Sequence, residues 1–143
     1  MKNSKKVVIK LGSSLLTNSR GGVNKSVLKN VVEDIVWLLN LQKEVIVVSS
    51  GAISLGRGRL NINHGLTLNE SQAVAASGQI ELMTAWKNEF KKYKKHVAQI
   101  LLSPSDIKNK KSSKNAMATL ENLWNFNCVP IINENDTTST DEI

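Results

Sequence analysis

Apolar residues along this chain fall into two kinds of cluster, short unbroken runs and longer stretches spaced by three and four. Val7-Val8-Ile9, Val45 to Val48, Val97 to Leu102 and Val129 to Ile132 are of the first kind. Each is bounded by small or polar residues, as buried strands are. The first extends from Lys6 to Leu11 and ends at the turn Gly12-Ser13-Ser14. Val27, Leu28, Val31, Val32, Ile35, Leu38 and Leu39 are of the second kind and share one face of a helix that Asn24 is placed to cap. Ser49-Ser50-Gly51-Ala52 reads as a small-residue turn opening another helical segment, followed by loop from Gly56 to Gly65. Thr67-Leu68-Asn69-Glu70 has capping-box spacing and predicts a helix reaching about Tyr93, in which Gly78 marks either a close helix contact or a break. The third strand runs into Ser103-Pro104, and a helix from about Ser113 carries Met117, Leu120, Leu123 and Trp124 on one face.

Continuously apolar strands separated by helices indicate right-handed βαβ units and a parallel sheet covered on both faces. The expected fold class is therefore α/β. A length of 143 residues with 41% hydrophobic content suits one domain or part of a larger one. No internal repeat, low-complexity linker or shift in composition marks a second domain. After the fourth strand comes the polar run from Asn133 to Ile143, with no helix to complete the crossover. A parallel strand without its covering helix exposes apolar surface, so a missing continuation is expected.

Composition narrows the function classes. No apolar stretch approaches the roughly 18 residues that cross a bilayer. The basic start Met1-Lys2-Asn3-Ser4-Lys5-Lys6 is not a secretory signal, because Lys10 and Gly12 interrupt the apolar run too early. A cytoplasmic location with no membrane partner is expected. Cys128 is the single cysteine, which excludes an intramolecular disulfide and a thiolate cluster and leaves a buried, inert thiol. His64 and His96 are far apart in sequence, outside any metal-ligand spacing. The net charge of +7 collects in Lys91, Lys92, Lys94 and Lys95 and again in Lys108, Lys110, Lys111 and Lys114. With little arginine and few interleaved aromatics, these read as solvated faces, and no nucleic-acid partner is expected.

In open parallel α/β sheets, ligands collect beyond the carboxyl ends of the strands. That rule selects Lys10-Leu11-Gly12-Ser13-Ser14, Ser49-Ser50-Gly51-Ala52 and Asn133-Glu134-Asn135-Asp136. Together they offer a cation, backbone donors freed by glycine, hydroxyls and a carboxylate, which is what an anionic substrate and a phosphate require. Each has a plainer reading: Lys10 as a solvated charge, Ser50-Gly51 as a turn and cap, Asp136 as a loop carboxylate. Their common placement at one sheet edge favours a site. Gly51 to Gly58 repeats the glycine spacing of a Walker A loop, but Arg57-Gly58 stands where Lys and a hydroxyl residue are required, which defeats a P-loop reading.

The same segments resemble the signatures of the amino-acid kinase family. Val7 to Ser14 is similar to its opening strand and phosphate loop, and Val47 to Ile53 to its substrate loop. Ala75-Ala76-Ser77-Gly78-Gln79 and Pro130 to Asp136 match further stretches in unchanged order. The Asn-Glu-Asn-Asp run is what most separates the branch acting on glutamate from those acting on aspartate, acetylglutamate and uridylate. The resemblance implies a three-layer sandwich and transfer of the terminal phosphoryl group of ATP, with Mg2+, to the side-chain carboxylate of L-glutamate, the first step of proline biosynthesis. Lys10 would then stabilise the moving group, with Gly12 and Ser13 near the phosphates. Ser50, Gly51 and Ala52 would grip glutamate, and Asn133 and Asp136 its other end; no protein ligand to a metal is implied. The family pattern continues with a Gly-Asp-Asn-Asp segment and a second lobe holding most ATP contacts. Residues 1–143 are therefore expected to be the substrate-binding part of the domain, binding nucleotide poorly and transferring phosphate slowly or not at all alone. A non-catalytic glutamate-binding module is the alternative; a homo-oligomer and a separately encoded second half remain open as partners.

Overall fold

A computed structural model of the chain describes residues 4–137. The start of the basic leader at 1–3, and the part of the polar run from 138 onward, lie outside the described residues. The elements run β1 (Lys6–Leu11), α1 (Ser13–Leu16), α2 (Lys25–Asn40), β2 (Glu44–Ser49), α3 (Ala52–Leu60), α4 (Leu68–Lys91), β3 (His96–Leu102), α5 (Pro104–Lys108), α6 (Lys110–Asn125) and β4 (Cys128–Glu134). Every strand pairing is parallel, in the order β1-β2-β4-β3. The α/β class and its parallel sheet are as the apolar pattern predicted.

Local signals account for the helix starts. The Asn24 side chain accepts from the Val27 N–H, and Thr67 and Glu70 form both halves of a capping box. A second box, Ser103 with Asp106, starts α5 with Pro104 in its first turn. The turns into β2, β3 and β4 each contain a residue with left-handed backbone, Gln42, Lys94 and Asn127, which reverses the chain directly after a helix.

The core lies between the sheet and the pair α2 and α4. Val45, Val47, Val129 and Ile131 meet Val32 and Ile35 of α2 and Leu82, Trp86 and Phe90 of α4, with the Trp86 and Phe90 rings stacked at 6.0 Å. Helix α6 runs on the opposite face, where Trp124 donates to the Val45 carbonyl at 3.1 Å and its ring lies under the Lys6 ammonium. Cover on this face is uneven. At the β1 edge Val8 is 62% exposed, so β1 alternates where continuous burial was expected. An edge strand touches a neighbour on one side only, and among the described residues no helix spans it on the α6 face.

The segment from Gly56 to Leu60, expected as loop, is helical, and the reason is packing. A Cβ on Gly56 would run into the Val74 carbonyl, one on Gly78 into the Ala52 carbonyl oxygen and Gly56 nitrogen, and one on Gly58 into the Gly21 backbone. Glycine lowers helix propensity by about 1 kcal/mol, and this close approach outweighs it. Gly78 thus marks a helix contact, not a break. The approach is backbone against backbone, so nothing flexible is available to yield. Gly78→Ala is expected to cost about 2 kcal/mol or more and lower the melting temperature by about 5 °C or more, whereas Gly65→Ala, at an open position, leaves it unchanged. Thermal denaturation followed by circular dichroism checks both.

Candidate functional site

Register brings the three candidate segments to one level. Leu11 pairs with Ser49 across β1 and β2, and Val48 with Ile132 across β2 and β4. The strands therefore end together, and Ser50 is tied to β1 by donating its N–H to the Leu11 carbonyl at 3.1 Å. Beyond these ends opens a cleft of about 570 Å³. Lys10 and Ser13 line it from the first segment, Ser50, Gly51 and Ala52 from the second, and Asn133 and Asp136 from the third. Gly12 is the one predicted site residue outside the lining. It caps α1 in extended conformation, and a Cβ there would meet nothing within 4 Å.

Gly51 turns the chain from β2 into α3 with φ 114° and ψ 2°, a left-handed conformation costly for other residues. No side chain caps the helix it begins, so the first-turn amides of α3 face the cleft end as donors with partial positive charge. The Ser50 hydroxyl has no hydrogen-bond partner, and Lys10 no ion pair, among the described residues. Neighbouring Ser49 is spent on structure: buried at 1% exposure, it accepts from the Trp86 indole at 3.0 Å. The opposite wall is braced where the Ser54 hydroxyl donates to Thr17 at 3.1 Å, joining α3 to the residue after α1.

On β4, Asn133 is buried beneath the cleft floor. Its Oδ1 accepts from the Glu134 N–H at 2.9 Å and its Nδ2 donates to Gln79 Oε1 at 2.9 Å. The second Nδ2 hydrogen and the second lone pair of Oδ1 are left for a ligand. Asp136 lines the cleft beside Glu134. Burial, and secondarily the negative charge of Glu134, hold its carboxyl above the ordinary range.

Among the lining residues, Arg57, Glu134 and Ser54 were given no role from the sequence. Arg57 adds a second cation, with Nη2 donating to the His64 carbonyl at 2.7 Å; it registered only as a departure from Walker A. Glu134 adds a second carboxylate and Ser54 a hydroxyl. Helical periodicity would have found Ser54 and Arg57, three apart on a helix whose N-terminus enters the site, had α3 been carried past Gly56. The glycine spacing itself serves packing: Gly56 and Gly58 seat α3 against α4 and the loop after α1, and no phosphate-cradling loop is formed there. Cys128 is a half-buried thiol pushed up by burial, in keeping with an inert role. No described helix is long and apolar enough to cross a membrane.

The sequence profile of the amino acid kinase family matches residues 5–143. The chain belongs to the amino acid kinase family. Curated relatives place it near one branch of that family. It is 45% identical to a glutamate 5-kinase of Pelagibacter ubique over all of this chain and 39% of the relative. It is also 45% identical to a glutamate 5-kinase of Agrobacterium fabrum over 96% of this chain and 36% of the relative. The chain thus spans about 39% of the length of such relatives. Among solved structures, a UMP kinase from Bacillus anthracis superposes with a TM-score of 0.57 at 20% identity, over 90% of this chain and 52% of that one. At that identity the likeness establishes the amino acid kinase fold alone.

The raised Asp136 carboxyl carries a sign. Ionising it costs more in the folded than in the unfolded chain, so its contribution to stability is whole below the unfolded value of 3.8 and is lost as pH rises through the folded one. Asp136→Asn is expected to be more stable than the parent at pH 7, with the gain fading as pH falls toward 3.8. Melting temperatures of both proteins across pH 3 to 8 check this; a gain that persists undiminished in acid contradicts it.

Proposed function

We propose that the cleft holds L-glutamate with its side-chain carboxylate toward the phosphoryl group of ATP, as part of a glutamate 5-kinase. The observation that carries the reading is the meeting, in one cleft, of a lysine and a hydroxyl that have no partner among the described residues, an uncapped helix N-terminus, and a desolvated carboxylate. The sequence likeness to glutamate 5-kinases supports it. In this reading residues 1–143 form the substrate-binding part of the kinase domain.

Phosphoryl transfer between two anionic groups needs positioning and charge neutralisation more than covalent help from the protein. Lys10 places a positive charge at the end of β1, where the moving group meets the acceptor oxygen. The open space over Gly12 lets a phosphate approach the backbone, with Ser13 adding a donor. Ser50 and the amides of Gly51 and Ala52, at the cap and first residue of α3, bind a carboxylate of glutamate. Asp136 takes the ammonium group, whose charge relieves the burial and repulsion that make its ionisation costly. Asn133 fixes the backbone at Glu134 and offers one amide hydrogen. Among the described residues no group of three or more His, Cys, Asp or Glu side chains is placed to hold a metal. In the proposed reaction, magnesium carried on the nucleotide phosphates would supply further charge neutralisation.

Calorimetric titration of the 143-residue chain with L-glutamate is expected to give saturable heat, and Ser50→Ala to weaken binding roughly tenfold through loss of a hydrogen bond to a charged group. Absence of saturable heat in the parent protein, or an unaffected variant, defeats the substrate assignment. Acyl phosphate trapped with hydroxylamine reads transfer separately. An ATP-dependent hydroxamate, however slow, that disappears in Lys10→Met supports the kinase; none in the parent protein leaves a glutamate-binding module.

A further inference from the structure

Gln79 sits on α4 outside the cleft, and the proposed function gives it no task. Its surroundings are closely determined. The Glu134 backbone N–H is a donor only, so the Asn133 group facing it at 2.9 Å must be the carbonyl oxygen. That turns Asn133 Nδ2 toward Gln79, which must present its own oxygen at 2.9 Å. The orientation of both amides therefore follows from one main-chain donor, although carboxamide oxygen and nitrogen are alike in shape. What remains is Gln79 Nε2, a buried donor with no partner among the described residues. Beside it is a chamber of about 20 Å³ lined also by Glu134, Asn135 and Asp136.

The backbone of α4 at this point has no freedom to drift. Gly78, the preceding residue, is locked against the Ala52 carbonyl and the Gly56 nitrogen of α3. The next residue toward the sheet therefore connects two walls of the cleft: the first turn of α3, through Gly78, and the end of β4, through Asn133. Past Asn133 the strand is held on its other side by the Asn135 N–H donating to the Leu102 carbonyl at 3.1 Å. Asp136 follows directly.

We infer that Gln79 is a positioning residue for substrate binding, acting through the Asn133 carboxamide to set the distance between the α3 N-terminus and the Asp136 carboxylate. The inference rests on the reading of the cleft as a glutamate site. A buried amide left without its partner reorganises to find another. Losing the Gln79 oxygen frees Asn133 to turn, releases the Glu134 backbone and lets Asp136 shift relative to Ser50.

The test is a double-mutant cycle on L-glutamate affinity, measured by titration calorimetry on the 143-residue chain. Gln79→Met keeps the side-chain length and removes both polar atoms. It is expected to weaken glutamate binding by about fivefold or more in the parent background and by less than about twofold when Asn133 is already alanine. A residue that merely supports the fold would give the same loss in both backgrounds. Should Gln79→Met fail to melt cooperatively, Gln79→Asn, which keeps the amide but falls one methylene short, takes its place with the same expectation. A folded variant with parent-like affinity, or an equal loss in the Asn133→Ala background, overturns the inference while leaving the substrate reading intact. A parent chain without saturable glutamate binding overturns both.

Discussion

Everything at the candidate site depends on how closely α3 and α4 approach. Gly56 and Gly78 let two helix backbones touch where any Cβ would collide, and that contact sets where α3 begins. A helix N-terminus has its electrostatic effect only within its first turn, so displacement by the width of a methyl group would aim the amides of Ala52 and Ile53 away from the strand ends. Trp86, one face of α4 further along, fixes the other partner by donating to Ser49 at the end of β2. The loop between Ser49 and Ala52 is thereby gripped from both sides, and Gly51 can hold its left-handed turn because its neighbours leave it no alternative.

The charges in the cleft are balanced, and the balance is uneven in space. Lys10 and Arg57 bring positive charge from β1 and α3, Glu134 and Asp136 negative charge from the end of β4. An amino acid carrying two carboxylates and an ammonium matches such a split better than a simple dianion does. In the proposed reading orientation would follow from it, since reversing the ligand would set its carboxylates against Glu134 and Asp136. Burial beside Glu134 raises the Asp136 carboxyl, a perturbation of the kind found where a site receives a charged group.

The fold was legible because burial writes itself into apolar runs and capping signals. Asn24, Thr67 and Glu70 cap the helices as their spacing indicated, and the strands appear where the β-branched runs are. What escaped was decided by contacts across the chain. Gly56 and Gly58 look like loop residues until their partners Val74, Gly78 and Gly21 are in place. The short helix α5 was not read from Ser103-Pro104, although Pro in a first turn after a capping serine is a start. Val8 is as apolar as Val7, and only the sheet order puts β1 at an edge and leaves Val8 exposed. At the site, strand-end placement found Lys10, Ser50 and Asp136. It did not find Arg57, which enters from the second turn of a helix.

Asn133 shows where reading a site by residue type reaches its limit. An asparagine at a strand end beside a cleft is, from sequence, a ligand-binding group with an oxygen and two hydrogens to offer. In the folded chain its oxygen accepts from Glu134 and one hydrogen goes to Gln79, so half of its bonding capacity organises the protein itself. The same commitment makes its remaining hydrogen directional, because a side chain held at two points cannot rotate to suit a poorly placed ligand. Replacing it with a smaller polar residue would therefore remove more than one ligand contact: it would free the backbone that carries Asp136. A residue can matter to binding mainly by what it denies its neighbours the freedom to do, and that property resides in the bonds already made rather than in the groups left exposed.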